Sequence, residues 1–551
     1  MSNFIRYKKY LFLIFAPAVI ILGKFSYIVL VLCLFYLMYK EDDVFLRRNV
    51  IFILFYITSL AIFSHIMTVP LGRDENVYVT AGKLIQDGYK LYKDFAFPQM
   101  PYLPIIYAWL FKITSNSYYL LSARIFSFFC TIATMILIYF ITYKILKSYI
   151  ISIVLSLFFI LNVPMVNTMG YAWNNMVALC FSLAGFLLYL SGVSERDRWV
   201  SIFLSGTFLS FAAGIKLFYF ALFPAFIINS ISIPVNRPFV KIFFPLSLGM
   251  LFGSIPILFF IFNSSMDIFA FNNLIYHKLN SLWYHYVGTI NTLDFISKIR
   301  YARNLLKLPV ISSCFVIFIF LLLFGRLKSG DRASLFRQPI LCLCLFVTIF
   351  STGIIFIPSP MHMQYFVMPI AFFIIFLACL CKYVFSKPNR YIELIFVAFA
   401  IHILIISSPR LFAKFNMLLR PNKWTPIMIH KIAVKLKDNI GYINQDGEIA
   451  TLSPIYAIEA GLPIYTELAT GVFMFRIGDF ICEHSQHVYG IVSLKTLVRL
   501  LNNNPPRAII VGKEPCLEDI FIDYAEKEGY YLIDGDFDGL KLYVRRKGRV
   551  L

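Results

Sequence analysis

The chain is short of charge, and of acidic charge above all. Of its 551 residues, 14% are charged, 60% are hydrophobic and 18% are aromatic. An ordinary soluble domain carries roughly 25% charged residues. Too little polar surface remains to coat several water-soluble domains, so a soluble multidomain enzyme is excluded, and the hydrophobic share excludes disorder. Sixteen of the 29 acidic residues follow Pro409, which leaves 13 in the first 409 residues beside 32 Lys and Arg. The net charge of +21 therefore lies almost entirely on the apolar part. Inward-facing loops of a membrane protein are basic for topological reasons, so nucleic acid is not needed to explain it. Cysteine is equally scarce in polar sequence: eight of ten lie in apolar runs, where they act as small hydrophobes. Cys482 and Cys516 are the remainder, and they pair or stay as free thiols according to the compartment they face. No glycine cluster resembles a phosphate-binding loop.

Long apolar runs are what the chain has instead. Met1 to Tyr10 carries Arg6, Lys8 and Lys9 and leads into apolar residues 11–39, broken at Gly23-Lys24 into two short pieces with basic flanks. This reads as an anchoring hairpin rather than a cleaved signal peptide. Spans follow at 50–69, 118–143, 148–163, 173–192, 242–262, 309–325, 338–357, 365–385 and 391–409. The stretch 200–229 holds two short helices meeting at Gly214 and Lys216, giving eleven spans after the hairpin. The expected fold class is an α-helical polytopic membrane protein of about 11–13 helices, residues 1–409, with a C-terminal soluble α/β domain, residues 410–551.

With that count, Lys144 and Lys147, Arg196 and Arg198, Arg237 and Lys241, Arg326 to Arg337, and Lys387 and Arg390 all fall in cytoplasmic loops. The short loops 164–172 and 358–364, which lack Lys and Arg, fall outside. The same assignment places the loops 70–117 and 263–308 and the C-terminal domain outside. In that domain, strand-like runs Ile449 to Leu452, Arg507 to Val511 and Leu540 to Val544 alternate with helical patterns such as Leu517 to Glu528.

The first external loop opens Gly72-Arg73-Asp74-Glu75 and runs to Phe97-Pro98-Gln99-Met100-Pro101-Tyr102. Two adjacent carboxylates at a membrane boundary, where acids are otherwise rare, suit a general base for an acceptor hydroxyl. They also suit the first turn of a helix. Arg124 and Lys216 are cations within apolar stretches, costly on insertion and functional by default, or else snorkelling to the boundary. Arg73 and Lys83 are either phosphate ligands or solvated loop charges. His277, Lys278, Trp283, Tyr284, His285 and Tyr286 form an aromatic cluster in the second loop, read first as an interfacial helix. His484 and His487 read as a surface pair.

The stretch Asp74-Glu75 through Gly88, Leu91-Tyr92, Asp94-Phe95 and Pro101-Tyr102 resembles the first external loop of GT-C glycosyltransferases. It is most similar to protein O-mannosyltransferase-like and lipid A aminoarabinose-transferase-like enzymes. Ser122-Ala123-Arg124, Gly214-Ile215-Lys216 and His362-Met363-Gln364-Tyr365-Phe366 add to the likeness. So do Thr451-Leu452-Ser453-Pro454, Glu459-Ala460-Gly461-Leu462-Pro463 and Glu467-Leu468-Ala469-Thr470-Gly471, which resemble bacterial members with an external domain.

The resemblance implies inverting transfer of a sugar from a polyprenyl-phosphate-sugar donor to an acceptor hydroxyl on the external face of a bacterial inner membrane. Asp74 would be the catalytic base, with Glu75 supporting the loop or orienting the acceptor. Arg73, Lys83, Arg124 and Lys216 would be the donor-phosphate ligands, and His362, Gln364, Tyr365 and Tyr102 would contact the donor or sugar. The partners would be the lipid donor, membrane lipids and an acceptor that is protein, lipid or polysaccharide.

Two departures bear on this. Gln99-Met100 stands where aminoarabinose transferases carry an acidic residue and a lysine, and Asn174-Asn175 stands where many relatives have an acid. Amides there argue against an obligatory divalent metal. An oligosaccharide ligase or polymerase using a diphosphate carrier would want more cations in the large loops, which do hold Lys278, Lys298, Arg300, Arg303 and Lys307. A transporter would carry acids at mid-membrane, whereas Glu393 is the one acid in an apolar span and lies near its edge.

Overall fold

In the computed structural model the apolar runs are helices, since in lipid every backbone N–H and C=O must be satisfied within its own segment. The structure describes residues 44–194, 198–288, 292–328, 338–386, 388–441 and 447–545. The hairpin expected over 11–39, residues Arg196 and Lys387, and loop residues 329–337 lie outside these.

Among the described residues, seven helices are long and apolar enough to span a bilayer, and two bent pairs bring the number to nine. That is two fewer than the eleven expected, for two reasons. The run 338–357 makes a helix of 16 residues, Pro339–Ile354. At 1.5 Å per residue this is about 24 Å, short of a hydrocarbon core of ~30 Å. The stretch 200–229 divides at Lys216 as expected, but unequally, into a full span Arg198–Ile215 and a shorter apolar segment Leu217–Ser232.

One bend, of 65°, separates Tyr149–Leu161 from Val163–Met169. Asn162 causes it by capping the second helix, its Oδ1 accepting from Met165 N at 2.8 Å, with Pro164 in the first turn. The other, of 83°, precedes Pro309. Small residues let two spans meet backbone to backbone: a Cβ on Gly249 would fall 1.9 Å from the carbonyl oxygen of Phe203.

Residues 70–117 are not an open loop. They fold into two helices, Arg73–Gln86 and Tyr102–Thr114, that pack on each other. Glycine permits this contact, since a Cβ on Gly82 would sit 2.6 Å from the Cβ of Tyr107.

The C-terminal region holds a four-stranded sheet of β1 (Ile449–Thr451), β2 (Ala508–Val511), β3 (Tyr531–Ile533) and β4 (Lys541–Val544). The order is β1-β2-β4-β3, with β1 and β2 parallel and the other pairs antiparallel. Three strands match the expected runs. The edge strand β3 was not expected, being three residues long and largely exposed. This region is docked on the first loop. Ile455 N donates to Asn76 Oδ1 at 2.7 Å, and Glu459 accepts from Leu120 N at 2.6 Å while its other oxygen meets His430 Nδ1 at 2.7 Å.

Candidate active site

The helix Arg73–Gln86 begins just after the span Arg47–Thr68 ends, and its first turn carries both carboxylates. Successive residues on a helix point about 100° apart, so Asp74 and Glu75 enter different surroundings.

Glu75 is fully buried. It turns back to accept the Gly72 N–H at 2.9 Å, takes the Ala172 N–H at 2.8 Å, and receives Arg124 Nε and Nη2 at 2.8 Å each. Arg124, also at 0% exposure, spends its remaining donors on the carbonyls of Ile66 (2.8 Å), Val69 (2.8 Å) and Pro70 (3.2 Å). Every arginine donor is used and both carboxylate oxygens are saturated. This corrects the expectation for Arg124, which has no N–H left for a phosphate, while of the two roles expected for Glu75 the bonds match support of the loop and leave no lone pair for an acceptor. Together they lock the end of the first described span to the loop helix, to the helix Tyr119–Leu146 and to residues 170–172.

Asp74 faces the opposite kind of environment. Among the described residues no group donates a hydrogen bond to its carboxylate, which borders two cavities of about 470 and 180 Å³. The larger contains Lys216, His277, Lys278 and the amides Asn174 and Asn175, and it has apolar walls from Leu217, Phe218, Ile354 and Ile357. The smaller contains Arg73, His362, Tyr284 and Arg476. Gln99, Gln364 and Tyr365 border both. Burial raises the Asp74 carboxyl above the usual carboxylate range, against the pull of Lys216 and Arg476. Burial also presses His277 and His362 down to about 4, with Lys216 adding to it, so both imidazoles are neutral near pH 7.

Lys216 is 8% exposed, hydrogen-bonds Asn175 Oδ1, and lies 5.0 Å from the ring centre of Tyr365 and 5.2 Å from that of Phe218. It does not snorkel to the boundary. Of the other expected phosphate ligands, Arg73 lines the smaller cavity while its Nε pairs with Glu514 at 2.8 Å. Lys83 is directed elsewhere, to Asp87 one turn on and over the ring of Tyr119. Tyr102 is likewise not a cavity residue: it is 3% exposed and donates to the Gly253 carbonyl at 2.6 Å, joining the loop to a span. His362, Gln364 and Tyr365 are brought to the cavities as expected.

The second-loop cluster is a helix, Tyr276–Val287, with two fates for its aromatics. Tyr286 is 85% exposed, whereas Trp283 and Tyr284 stack on Arg476 at 4.8 and 4.9 Å. Sequence reasoning missed Arg476. Its signal was present as a lone arginine ending the apolar run Val472-Phe473-Met474-Phe475, directly after the Glu467 to Gly471 stretch. His484 and His487 are exposed, and Cys482 and Cys516 are exposed free thiols.

A family model described as dolichyl-phosphate-mannose-protein mannosyltransferase matches residues 100–268. No curated protein matches in sequence. Among solved structures, the chain is similar to ArnT from Cupriavidus metallidurans bound to undecaprenyl phosphate, with a TM-score of 0.59. The identity is 11%, over 89% of this chain and 97% of that one. The same protein in the apo state gives a TM-score of 0.58. The architecture is thus the GT-C fold that the first-loop motif implied, on an integral membrane protein.

Proposed function

We propose that this GT-C-fold chain transfers a sugar, hexose or pentose, from a polyprenyl-phosphate-sugar donor to an acceptor hydroxyl, with inversion. The observation that carries the reading is Asp74, a carboxylate with no hydrogen-bond donor, bordering a cavity that holds a buried lysine and has apolar walls. The Asp74 carboxylate takes the proton of the acceptor hydroxyl. The freed oxygen forms its bond to the anomeric carbon from the face opposite the phosphate. The carbon–oxygen bond to phosphate breaks, and the polyprenyl phosphate leaves with the electron pair. Lys216 faces the charge that builds on the leaving group, where a cation held in a water-poor site acts most strongly. Leu217, Phe218, Ile354 and Ile357 offer an apolar surface for the first prenyl units. The ArnT structure with undecaprenyl phosphate supports a lipid monophosphate as the carrier.

A diphosphate carrier would demand more positive charge than the cavity presents. Of the five loop cations that kept that reading open, Lys278 faces the larger cavity. Lys298 is spent on the carbonyls of Phe356 and Ile357, and Arg300, Arg303 and Lys307 are exposed. The reading includes no obligatory metal, because Asp74 is the one carboxylate among amides at these cavities. It places the cavities on the external face of a bacterial inner membrane, with protein, lipid or polysaccharide as acceptor. The test is mass spectrometry of envelope glycans from a deletion strain, complemented with wild type or with Asp74→Asn. Restoration of the missing glycan by Asp74→Asn overturns the mechanism.

A further inference from the structure

Four cations line the two cavities, Arg73, Lys216, Lys278 and Arg476, and Arg476 is the one among them that comes from the C-terminal region. It is 6% exposed and packed among the rings of Trp283, Tyr284 and Phe473, each 4.8–4.9 Å from its guanidinium carbon. Its side-chain hydrogen-bond partners are the hydroxyls of Tyr284, at 3.3 Å, and Tyr276, both uncharged, and its buried Nε has none. Among the described residues no carboxylate lies within 4 Å of it.

Buried charges are normally paired, because removing an ion from water costs several kcal/mol that only a counter-charge and filled hydrogen bonds return. Arg124 in the same protein shows the satisfied case, with five donors filled and a carboxylate opposite. Ring faces stabilise a guanidinium in part, but they do not neutralise it. Asp74 and Glu514 feel the Arg476 charge, but among the described residues neither closes an ion pair with it within 4 Å, so the guanidinium is left able to pair with an anion brought to the chamber.

The smaller chamber has room for such an anion. Arg476 and Arg73 line the smaller chamber together, and Asp74 is its one carboxylate. The larger chamber has its own cations in Lys216 and Lys278, together with the apolar walls a lipid needs. Asp74 borders both. A donor phosphate in the larger chamber accounts for its lysines and leaves Arg476 unexplained.

We propose that Arg476, assisted by Arg73, binds an anionic group, carboxylate or phosphate, carried by the acceptor beside the hydroxyl that receives the sugar. The C-terminal domain thereby completes the acceptor site. Arg73 is held at the chamber by Glu514, a residue of that same domain. The inference rests on the glycosyl-transfer reading, which supplies the distinction between donor and acceptor chambers.

The test uses the full-length protein in detergent micelles, with phenyl phosphate as anionic probe and benzyl alcohol as its neutral counterpart. Phenyl phosphate should raise the thermal midpoint of wild type and of Lys216→Gln, and leave Arg476→Gln unmoved. Benzyl alcohol should move none of them. Undecaprenyl phosphate should bind Arg476→Gln within about twofold of wild type but bind Lys216→Gln about tenfold more weakly. An equal phenyl phosphate shift in Arg476→Gln overturns the proposal. So does a loss of undecaprenyl phosphate affinity in Arg476→Gln as large as in Lys216→Gln, which would assign Arg476 to the donor.

Should Arg476→Gln fail to fold, a structure of wild type with phenyl phosphate decides. Density at the Arg476 guanidinium supports the proposal, and density elsewhere or nowhere sinks it. Failure of wild type to bind undecaprenyl phosphate, with the phenyl phosphate arm intact, would count against the donor reading and not against the anion site.

Discussion

Two regions flank the first turn of the helix Arg73–Gln86, and each contains a carboxylate and a buried cation. On one side Glu75 and Arg124 hold each other and five backbone groups besides, leaving no polar atom free. On the other, Asp74 accepts nothing and Lys216 leans on an amide and two rings across a cavity. The chemical types are the same, yet saturation makes the first a clamp, while groups left open toward a cavity suit the second to bind. A buried cation in a membrane protein is therefore diagnostic of ligand binding only once its donors have been counted.

The contrast can be broken by experiment, beginning with the largest effect. Asp74→Asn should lower transfer by about 10²–10⁴-fold, the usual worth of a general base, with thermal stability unchanged. Wild-type turnover in a transfer assay with a polyprenyl-phosphate-sugar would remove Asp74 from the chemistry. Lys216→Gln should cost about 10²-fold in turnover, again in a folded protein.

The pH profile of Lys216→Gln sharpens the same point. The base works deprotonated, so the rate falls as pH drops through the Asp74 pKa, which burial holds above the usual carboxylate range. Removing the lysine charge raises that pKa further and should move the acid limb of kcat/KM to higher pH. A shift to lower pH would contradict the pairing.

On the clamp side the readout changes from rate to stability. Glu75→Gln or Arg124→Met leaves its partner's charge buried and unpaired, at a cost of about 3–5 kcal/mol. The amount of folded protein should fall, with the pH profile of the surviving fraction unmoved. A normally folded but inactive Arg124→Met would return Arg124 to the donor site. Smaller still, Tyr102→Phe removes one hydrogen bond to the Gly253 carbonyl and should cost about 1 kcal/mol. Lys83→Ala should change activity little and stability by no more than about 0.5 kcal/mol, as for a helix-surface ion pair.

Much of this arrangement was legible along the chain. The apolar runs, the break at Lys216, three of four strands and the place of Asp74 all follow from local composition and from one loop motif. Arg124 and Lys216 looked alike in sequence, because an arginine in an apolar run shows its desolvation cost but not the carbonyls of Ile66, Val69 and Pro70 that offset it. Tyr102 was misplaced for a similar reason: its hydroxyl meets a carbonyl 151 residues away. Arg476 escaped notice because it acts at a distance of 402 residues from Asp74 in the chain. The acidic pair of the first loop suited either a base or the first turn of a helix, and the helix Arg73–Gln86, packed against Tyr102–Thr114, accommodates both, one carboxylate to each role.

The sequence by itself determined that the protein lives in a membrane, where its helices run, and that carboxylates gather at one boundary, since hydrophobicity and charge are summed over neighbouring residues. Only the tertiary structure decided which carboxylate is free, which cation is spent, and that a C-terminal arginine reaches the cavity. Hydrogen-bond saturation and burial depend on groups brought together from distant parts of the chain, and no local pattern records them.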